Sequence, residues 1–264
     1  MNYFKDKICW ITGASSGIGE ELAIQLSQLD ARVILSARNK ESLQEVLSKM
    51  KHPEHHIVLP LDLENQNEFP TLCQSIIKNF GRIDMLFNNG GLSQRSEVHE
   101  TSIEVDRRIM EINYFGNIAL SKTVLPYFRE QKSGHIIVTS SVAGKFGFFL
   151  RSAYSASKHA LQGYYESLLL EEAKNNIAVT ILCPGKINTP ISMSALHGNG
   201  EKHNAMDHNQ ATGMPVSVCV SKILKAVSNK KKEVLIGNRE IYAVYIKRFL
   251  PALFWKIIKN EKAT

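Results

Sequence analysis

Three side chains in one stretch could together handle a proton. Ser141 is followed by Tyr154 thirteen positions on, and by Lys158 four positions after that. An i, i+4 pair on a helix points to one side, so the Tyr154 phenol and the Lys158 ammonium are expected to share a face. A free phenol titrates near about 10, and a neighbouring cation lowers that by favouring the phenolate. Such a pair delivers or accepts a proton near neutral pH. YxxxK alone is a weak signal, since Tyr3 and Lys7 make the same pattern near the N-terminus. A Tyr and a Lys one turn apart are more often a surface pair. A catalytic role therefore requires support from other segments.

Directly after the first apolar run comes Thr12-Gly13-Ala14-Ser15-Ser16-Gly17-Ile18-Gly19. Glycines at 13, 17 and 19 permit a tight turn and close approach of backbone to a pyrophosphate. The helix that starts there offers free N–H groups and a positive dipole end. The spacing GxxxGxG meets only part of the general dinucleotide fingerprint GxGxxG. Its place between a first strand and a first helix favours dinucleotide binding over a purely structural turn. The second strand ends in Ser36-Ala37-Arg38, with no acid. An acid there would bind the ribose diol of NAD, whereas an Arg accommodates a 2′-phosphate. Arg38 is the expected 2′-phosphate ligand, and NADP(H) is expected in preference to NAD(H). The alternative for Arg38 is a surface Arg at a strand end.

These residues must be held by regular elements, and the patterning supplies them. Short apolar runs predict strands over 8–12, 33–37, 57–61, 83–87, 136–139, 177–183 and 233–236. Helical spacing predicts helices over 17–29, 40–50, 65–80, 153–174 and 216–228, with two more within 101–131 and Pro126 near the end of the second. Strands alternating with helices argue for a parallel sheet covered on both faces. Near-continuous apolar strands fit burial on both faces. The expected class is α/β, a single-domain doubly wound parallel sheet (Rossmann fold) over residues 1–264, with ligands beyond the C-terminal strand ends. The 264 residues, 44% hydrophobic and 22% charged, suffice for one large core and are short for two.

Composition narrows the partners. Cys9, Cys73, Cys183 and Cys219 show no CxxC spacing and read as thiols of a reducing compartment. The opening MNYFKDKICWITG carries no recognisable signal or transit peptide, so a cytoplasmic location is expected. The net charge is +7, but the basic residues are spread along the chain and no nucleic-acid module is visible. Lys230-Lys231-Lys232 reads as a solvated turn. His197, His203 and His208 fall in the polar stretch 184–214, expected to be a loop with a substrate lid at about 190–214. Without nearby acid or Cys ligands they are expected to be solvated, and no metal site is expected.

With TGASSGIG, then Asn88-Asn89-Gly90-Gly91, then the Ser/Tyr/Lys spacing, residues 5 to 237 resemble the short-chain dehydrogenase/reductase family. The family's TGxxxGIG matches 12–19, its adenine-holding Asp-Leu matches Asp62-Leu63, and its NNAG matches 88–91 with Gly90 in place of Ala. That replacement loosens the turn. The resemblance implies cofactor contacts from Gly13, Ser15, Ser16, Gly17, Ile18, Gly19, Asp62, Leu63, Asn89 and Gly91. It implies further contacts from Tyr154, Lys158 and the PGxxxT match at Pro184, Gly185, Ile187 and Thr189. It also implies catalytic roles for Asn113, Ser141, Tyr154 and Lys158 in hydride transfer between nicotinamide and a carbonyl or alcohol carbon. Ser141 would hydrogen-bond the substrate oxygen and Tyr154 would deliver the proton. Lys158 would depress the phenol pKa and bind the nicotinamide ribose, and Asn113 would hold a water linking Lys158 to solvent.

The substrate side carries fewer signals. Phe146, Phe148, Phe149 and Leu150 adjoin Ser141 and are expected to form an apolar substrate wall. Phe148 and Phe149, with Ser141 and Tyr154, are the candidate substrate contacts. Ile191, Met193, Leu196, Met206 and Met214 add adaptable apolar groups from the lid. The tail, about 238–264, contains IYAVYIKRFLPALFWKII, whose cations and Pro251 argue against a membrane span. It is expected to pack on the body or cap the site, to form an oligomer contact, or to meet a membrane surface peripherally. With no DGG-type ending, the tail looks more like the hydroxysteroid and lipid-type branch. That implies a hydrophobic ketone or secondary alcohol substrate, a carbonyl reductase activity, and a homodimer through 101–131 and 153–174. A dinucleotide-binding sensor or scaffold without turnover, and a reductase of small polar or acyl carbonyls, are the competing readings. A sugar-nucleotide epimerase is disfavoured because no substrate domain is present.

Overall fold

The computed structural model describes residues 3–261 and 263. Of the expected tail, Lys262 and Thr264 lie outside the described residues, as do Met1 and Asn2 of the expected domain. Seven strands are present: β1 (Ile8–Thr12), β2 (Arg32–Ser36), β3 (Ile57–Val58), β4 (Met85–Asn88), β5 (Gly134–Thr139), β6 (Ile177–Pro184) and β7 (Glu233–Ile236). They form one parallel sheet in the order β3-β2-β1-β4-β5-β6-β7. The order reverses between β1 and β4, which opens a crevice at their C-terminal ends.

Alternation along β1 shows why both faces need helices. Ile8 and Trp10 enter one core with α3 (Phe69–Phe80), α4 (Ile103–Met110), α5 (Gly116–Gln131) and α6 (Ser152–Glu172). Cys9 and Ile11 enter the other with α1 (Gly17–Gln28), α2 (Lys40–Ser48) and α8 (Val216–Ser228). Burying Trp10 leaves its indole N–H in need of a partner, and it donates to Ser36 Oγ at 2.8 Å.

Most element boundaries fall within a few residues of the expected ones, and the exceptions have local causes. The assigned β3 is short, yet the N–H groups of Leu59 and Leu61 still donate to the Leu35 and Ala37 carbonyls at 2.9 and 3.1 Å. Pro60 is tolerated because β3 is an edge strand. β4 starts late because the Gln131 side chain, not a strand, takes the backbone of Ile83. The helix pair expected within 101–131 is continuous: a π-helical turn at Glu111–Phe115 joins α4 to α5.

The segment 184–214 is tied down throughout rather than an open loop. It holds a short α7 (His208–Ala211), and Leu196 and Met214 are buried in the two cores. The tail forms two short helices, α9 (Tyr242–Phe249) and α10 (Pro251–Ile258), divided where Pro251 cannot continue the first. Their inner side packs on the body. Phe254, 1% exposed, meets the Phe146 ring edge-on at 5.3 Å, and Lys247 Nζ donates to the Lys145 carbonyl at 2.8 Å.

Candidate active site

A cleft of about 370 Å³ runs along the C-terminal ends of the strands from Arg38 to Pro190. Its first wall is the turn after β1. Gly13 and Gly17 have φ of +65° and +57°, the left-handed region that glycine enters without strain. Ser16 precedes α1 without capping it through its side chain. The first-turn N–H groups are thus left to an incoming anion. Ser15, Ser16, Gly17 and Ile18 all line the cleft. Gly19 does not line it. A Cβ there would lie 2.0 Å from the Gly13 carbonyl oxygen, so Gly19 serves close packing of the turn rather than ligand contact.

The loop after β4 completes this wall. Thr12 Oγ1 accepts the N–H groups of Asn89 and Gly90 at 3.0 and 2.9 Å. The Asn89 amide donates to the Thr12 carbonyl at 3.2 Å. A Cβ on Gly90 would press on Leu63 Cδ1 at 2.9 Å. The glycine therefore admits Leu63 to this wall rather than merely loosening the turn. Asp62, Leu63, Asn89, Gly91, Pro184, Gly185, Ile187 and Thr189 also line the cleft, beside Ser36, Ala37 and Arg38 at its far end. Arg38 is exposed, and no carboxylate pairs with it among the described residues.

Ser141, Tyr154 and Lys158 converge at the other end. Ser141 leaves β5 in an extended conformation, and its Oγ donates to the Pro184 carbonyl at 3.3 Å and accepts from Ala143 N at 3.1 Å. It also faces the Tyr154 hydroxyl and favours its ionised form. Lys158 is 4% exposed and donates to the Thr139 carbonyl at 2.8 Å. Burial lowers its pKa to about 8, so the ammonium still prevails at pH 7. Tyr154 departs from expectation. Burial raises its phenol above the ordinary value; the Ser141 hydroxyl and then the Arg151 and Arg95 charges oppose the rise. Lys158 Nζ lies 5.7 Å from the ring centroid and turns to a backbone carbonyl, so it is not the cation that tunes the phenol here.

Asn113 sits in the π-helical turn, fully buried, and does not line the cleft. Its Oδ1 accepts from Leu92 N at 2.7 Å, and its Nδ2 donates to the Leu92 carbonyl at 2.9 Å and to Ser157 Oγ at 3.0 Å. With the side-chain amide engaged in this way, Asn113 fixes the 88–92 loop against α6.

Phe148 and Phe149 do not line the cleft, contrary to expectation. Phe146 is drawn away to Phe254, Leu150 turns the chain at φ +57°, Phe148 lies under the Arg151 guanidinium at 5.5 Å, and Phe149 faces outward. The apolar lining near Tyr154 comes instead from Leu92, Ile112, Ile187 and Ile191. Of the other lid residues expected to contact substrate, Met193 and Met206 are exposed.

Four residues that sequence reasoning missed build the surroundings of the start of α6, where Tyr154 sits. Gln94 is buried, and its Oε1 accepts from Ala153 N at 2.8 Å and from Tyr154 N at 3.4 Å, capping α6 where Arg151 offers no side-chain cap. Arg95 and Arg151 both pair with Asp207, and all three side chains are at most a tenth exposed. Asp207 also pairs with His203 at 3.2 Å, and His203 contacts His197 at 3.3 Å. These two histidines are thus half-buried and partnered rather than simply solvated; the acid they lacked in the sequence reading is Asp207. Among the described residues no group of three or more His, Cys, Asp or Glu is placed to hold a metal. All four cysteines are buried and free, and burial pushes the Cys183 thiol up to about 12.

Comparison with known proteins places this geometry. A family model described as "short chain dehydrogenase" matches residues 7–200. A dehydrogenase/reductase SDR family protein 7-like of Anopheles gambiae is 43% identical over 266 residues, covering 98% of this chain and 84% of its own. The dehydrogenase/reductase SDR family member 7B of Mus musculus is 38% identical over 265 residues, covering 98% and 82%. A short-chain dehydrogenase from Streptomyces avermitilis superposes with a TM-score of 0.82 at 25% identity, covering 97% of this chain and 96% of its own. A short chain dehydrogenase/reductase from Burkholderia phymatum, solved in complex with NAD, superposes at 0.85 with 20% identity over 100% and 98%, a likeness of fold.

Proposed function

Because the chain belongs to the short-chain dehydrogenase family, we propose that it is an NADP(H)-dependent reductase of hydrophobic ketones, working through Ser141, Tyr154 and Lys158. The observation that carries this reading is the convergence of those three groups at the end of a cleft that begins with an uncapped glycine turn. The cleft fits a nicotinamide dinucleotide. Gly13, Ser15, Ser16, Gly17 and Ile18 would take the pyrophosphate, Asp62 and Leu63 the adenine, and Asn89, Gly91, Pro184, Gly185, Ile187 and Thr189 the remainder. When bound, the cofactor supplies the hydride.

The protein's own groups handle the proton. Oxygen charge develops as a carbonyl is reduced, and the Ser141 hydroxyl donates to that oxygen. Tyr154 carries its proton at neutral pH, because burial holds its pKa above the ordinary value. It is therefore set to protonate the oxygen. Lys158, charged at neutral pH, is left to bind the nicotinamide ribose, and Asn113 and Gln94 hold the loop and helix that position Tyr154. Leu92, Ile187 and Ile191 offer an apolar wall, which supports a hydrophobic substrate over a small polar one.

Arg38 supports NADP(H) over NAD(H), since the end of β2 holds an exposed guanidinium and no acid. The buried free thiols suit a cytoplasmic setting. Exposed Phe115 and Leu170 suit a homodimer through α4, α5 and α6, which light scattering would test. Fluorescence titration with NADPH and NADH, followed by a carbonyl panel from short diketones to sterols and long-chain ketones, tests the function. Tighter NADPH binding and turnover of apolar ketones are expected. Equal or better NADH binding refutes the cofactor assignment, and cofactor binding with no turnover across the panel favours a sensor.

A further inference from the structure

The outer side of α9 and α10 is open among the described residues, and it carries both large apolar groups and cations. Phe249 is 73% exposed and Trp255 58% exposed, with Leu250 and Leu253 beside them and Tyr242 and Tyr245 also open. Adjoining large exposed apolar groups mark an interaction surface rather than chance exposure. The inner side is already committed: Phe254 is buried against Phe146, Lys247 donates to the Lys145 carbonyl, and Arg151 donates to the Ala263 carbonyl at 2.7 Å. The outer face is thus held on the body, and no described residue of the tail lines the cleft.

Charge selects the occupant. Residues 241–260 contain no Asp or Glu, and they carry Lys247, Arg248, Lys256 and Lys259. Arg248, Lys256 and Lys259 are exposed, and no carboxylate pairs with them among the described residues. A second copy docking through a two-fold axis would oppose this basic face with itself, which like charge disfavours. An anionic lipid surface complements it, with aromatic rings at headgroup depth and cations on phosphates. Each helix has eight residues, and no helix among the described residues is long and apolar enough to cross a membrane. The segment suits lying in the interface.

We propose that α9 and α10 dock this protein on an anionic phospholipid surface, with Phe249, Leu250, Leu253 and Trp255 entering the headgroup layer and Arg248, Lys256 and Lys259 meeting the phosphates. Docking would set the 145–151 loop, on which the tail rests, beside the bilayer.

Flotation of the full chain with phosphatidylcholine vesicles, with and without added phosphatidylglycerol, tests this without recourse to catalysis. Wild type floats with the phosphatidylglycerol vesicles and not with phosphatidylcholine alone, and added salt releases it. Replacing Arg248, Lys256 or Lys259 by Gln weakens binding by roughly fivefold per charge, from about 1 kcal/mol per cation near the surface. The double variant Phe249→Glu/Trp255→Glu, altered only at exposed positions and checked for an unchanged thermal melt, stays unbound. Wild type that fails to float, floats equally on both vesicles, or is matched by the double variant overturns the proposal. So does a wild-type dimer that the double variant converts to a monomer without any vesicle binding, since a second copy then covers this face.

Discussion

Lys158 is a cation held almost out of water, and its burial has a consequence for stability that can be read without substrate. Its pKa lies at about 8 in the folded chain, chiefly through burial, against 10.5 for an ordinary lysine. Between these values the unfolded chain holds a proton on Lys158 that the folded chain has released. The unfolded state binds more protons there, so stability rises with pH across that window. Above 10.5 both states are neutral, and below about 8 both are charged, leaving the full penalty in place. At about 1.4 kcal/mol per pH unit, the fall corresponds to about 3 kcal/mol. Lys158→Met keeps most of the side-chain length and removes the titration. Urea unfolding of both proteins at intervals from pH 7 upward gives the difference directly, and titrations shared by both cancel in it. The wild type is expected to gain about 3 kcal/mol on the variant between pH 8 and 10.5. Parallel profiles would refute the burial of a charged Lys158. The variant is also expected to lose turnover, the usual trade between stability and a strained site.

Other substitutions probe separate parts of the site. Arg38→Ala weakens NADPH binding about tenfold and leaves NADH binding nearly unchanged, since an exposed charged contact is worth roughly 1.5 kcal/mol; fluorescence titration reads both. Asp207→Ala leaves Arg95 and Arg151 buried without their shared carboxylate. It is expected to destabilise the fold by about 3 to 5 kcal/mol in urea unfolding. Gly19→Ala drives a methyl group into the Gly13 carbonyl, which Cβ would approach to 2.0 Å. Displacing the turn is expected to abolish cofactor binding, and unchanged titration curves would show that the turn can yield.

Local patterns carried most of the fold. Strands buried on both faces are mostly apolar, and β1, β5 and β6 each carry an apolar run. The glycine turn and the Ser141, Tyr154 and Lys158 spacing are short-range features and were legible for the same reason. What joins distant segments was not. Arg95 and Asp207 are 112 positions apart, and Asp207 lies in a polar stretch with nothing to mark it as buried. Gln94 caps α6 from 59 positions away. The Phe146 to Leu150 run was misplaced because its composition fits a substrate wall equally well as a seat for the tail. Only the contact with Phe254, from a segment a hundred residues later, decides between them.

The central claim is that Tyr154 gives up the proton while other groups hold the cofactor. Tyr154→Phe removes one hydroxyl and keeps the ring. Measured together by NADPH titration and by turnover of the best ketone substrate, the variant is expected to bind NADPH as the wild type does. Its turnover is expected to fall by a factor of roughly 10² to 10⁴, the usual contribution of a positioned acid. Turnover comparable to wild type would contradict the account.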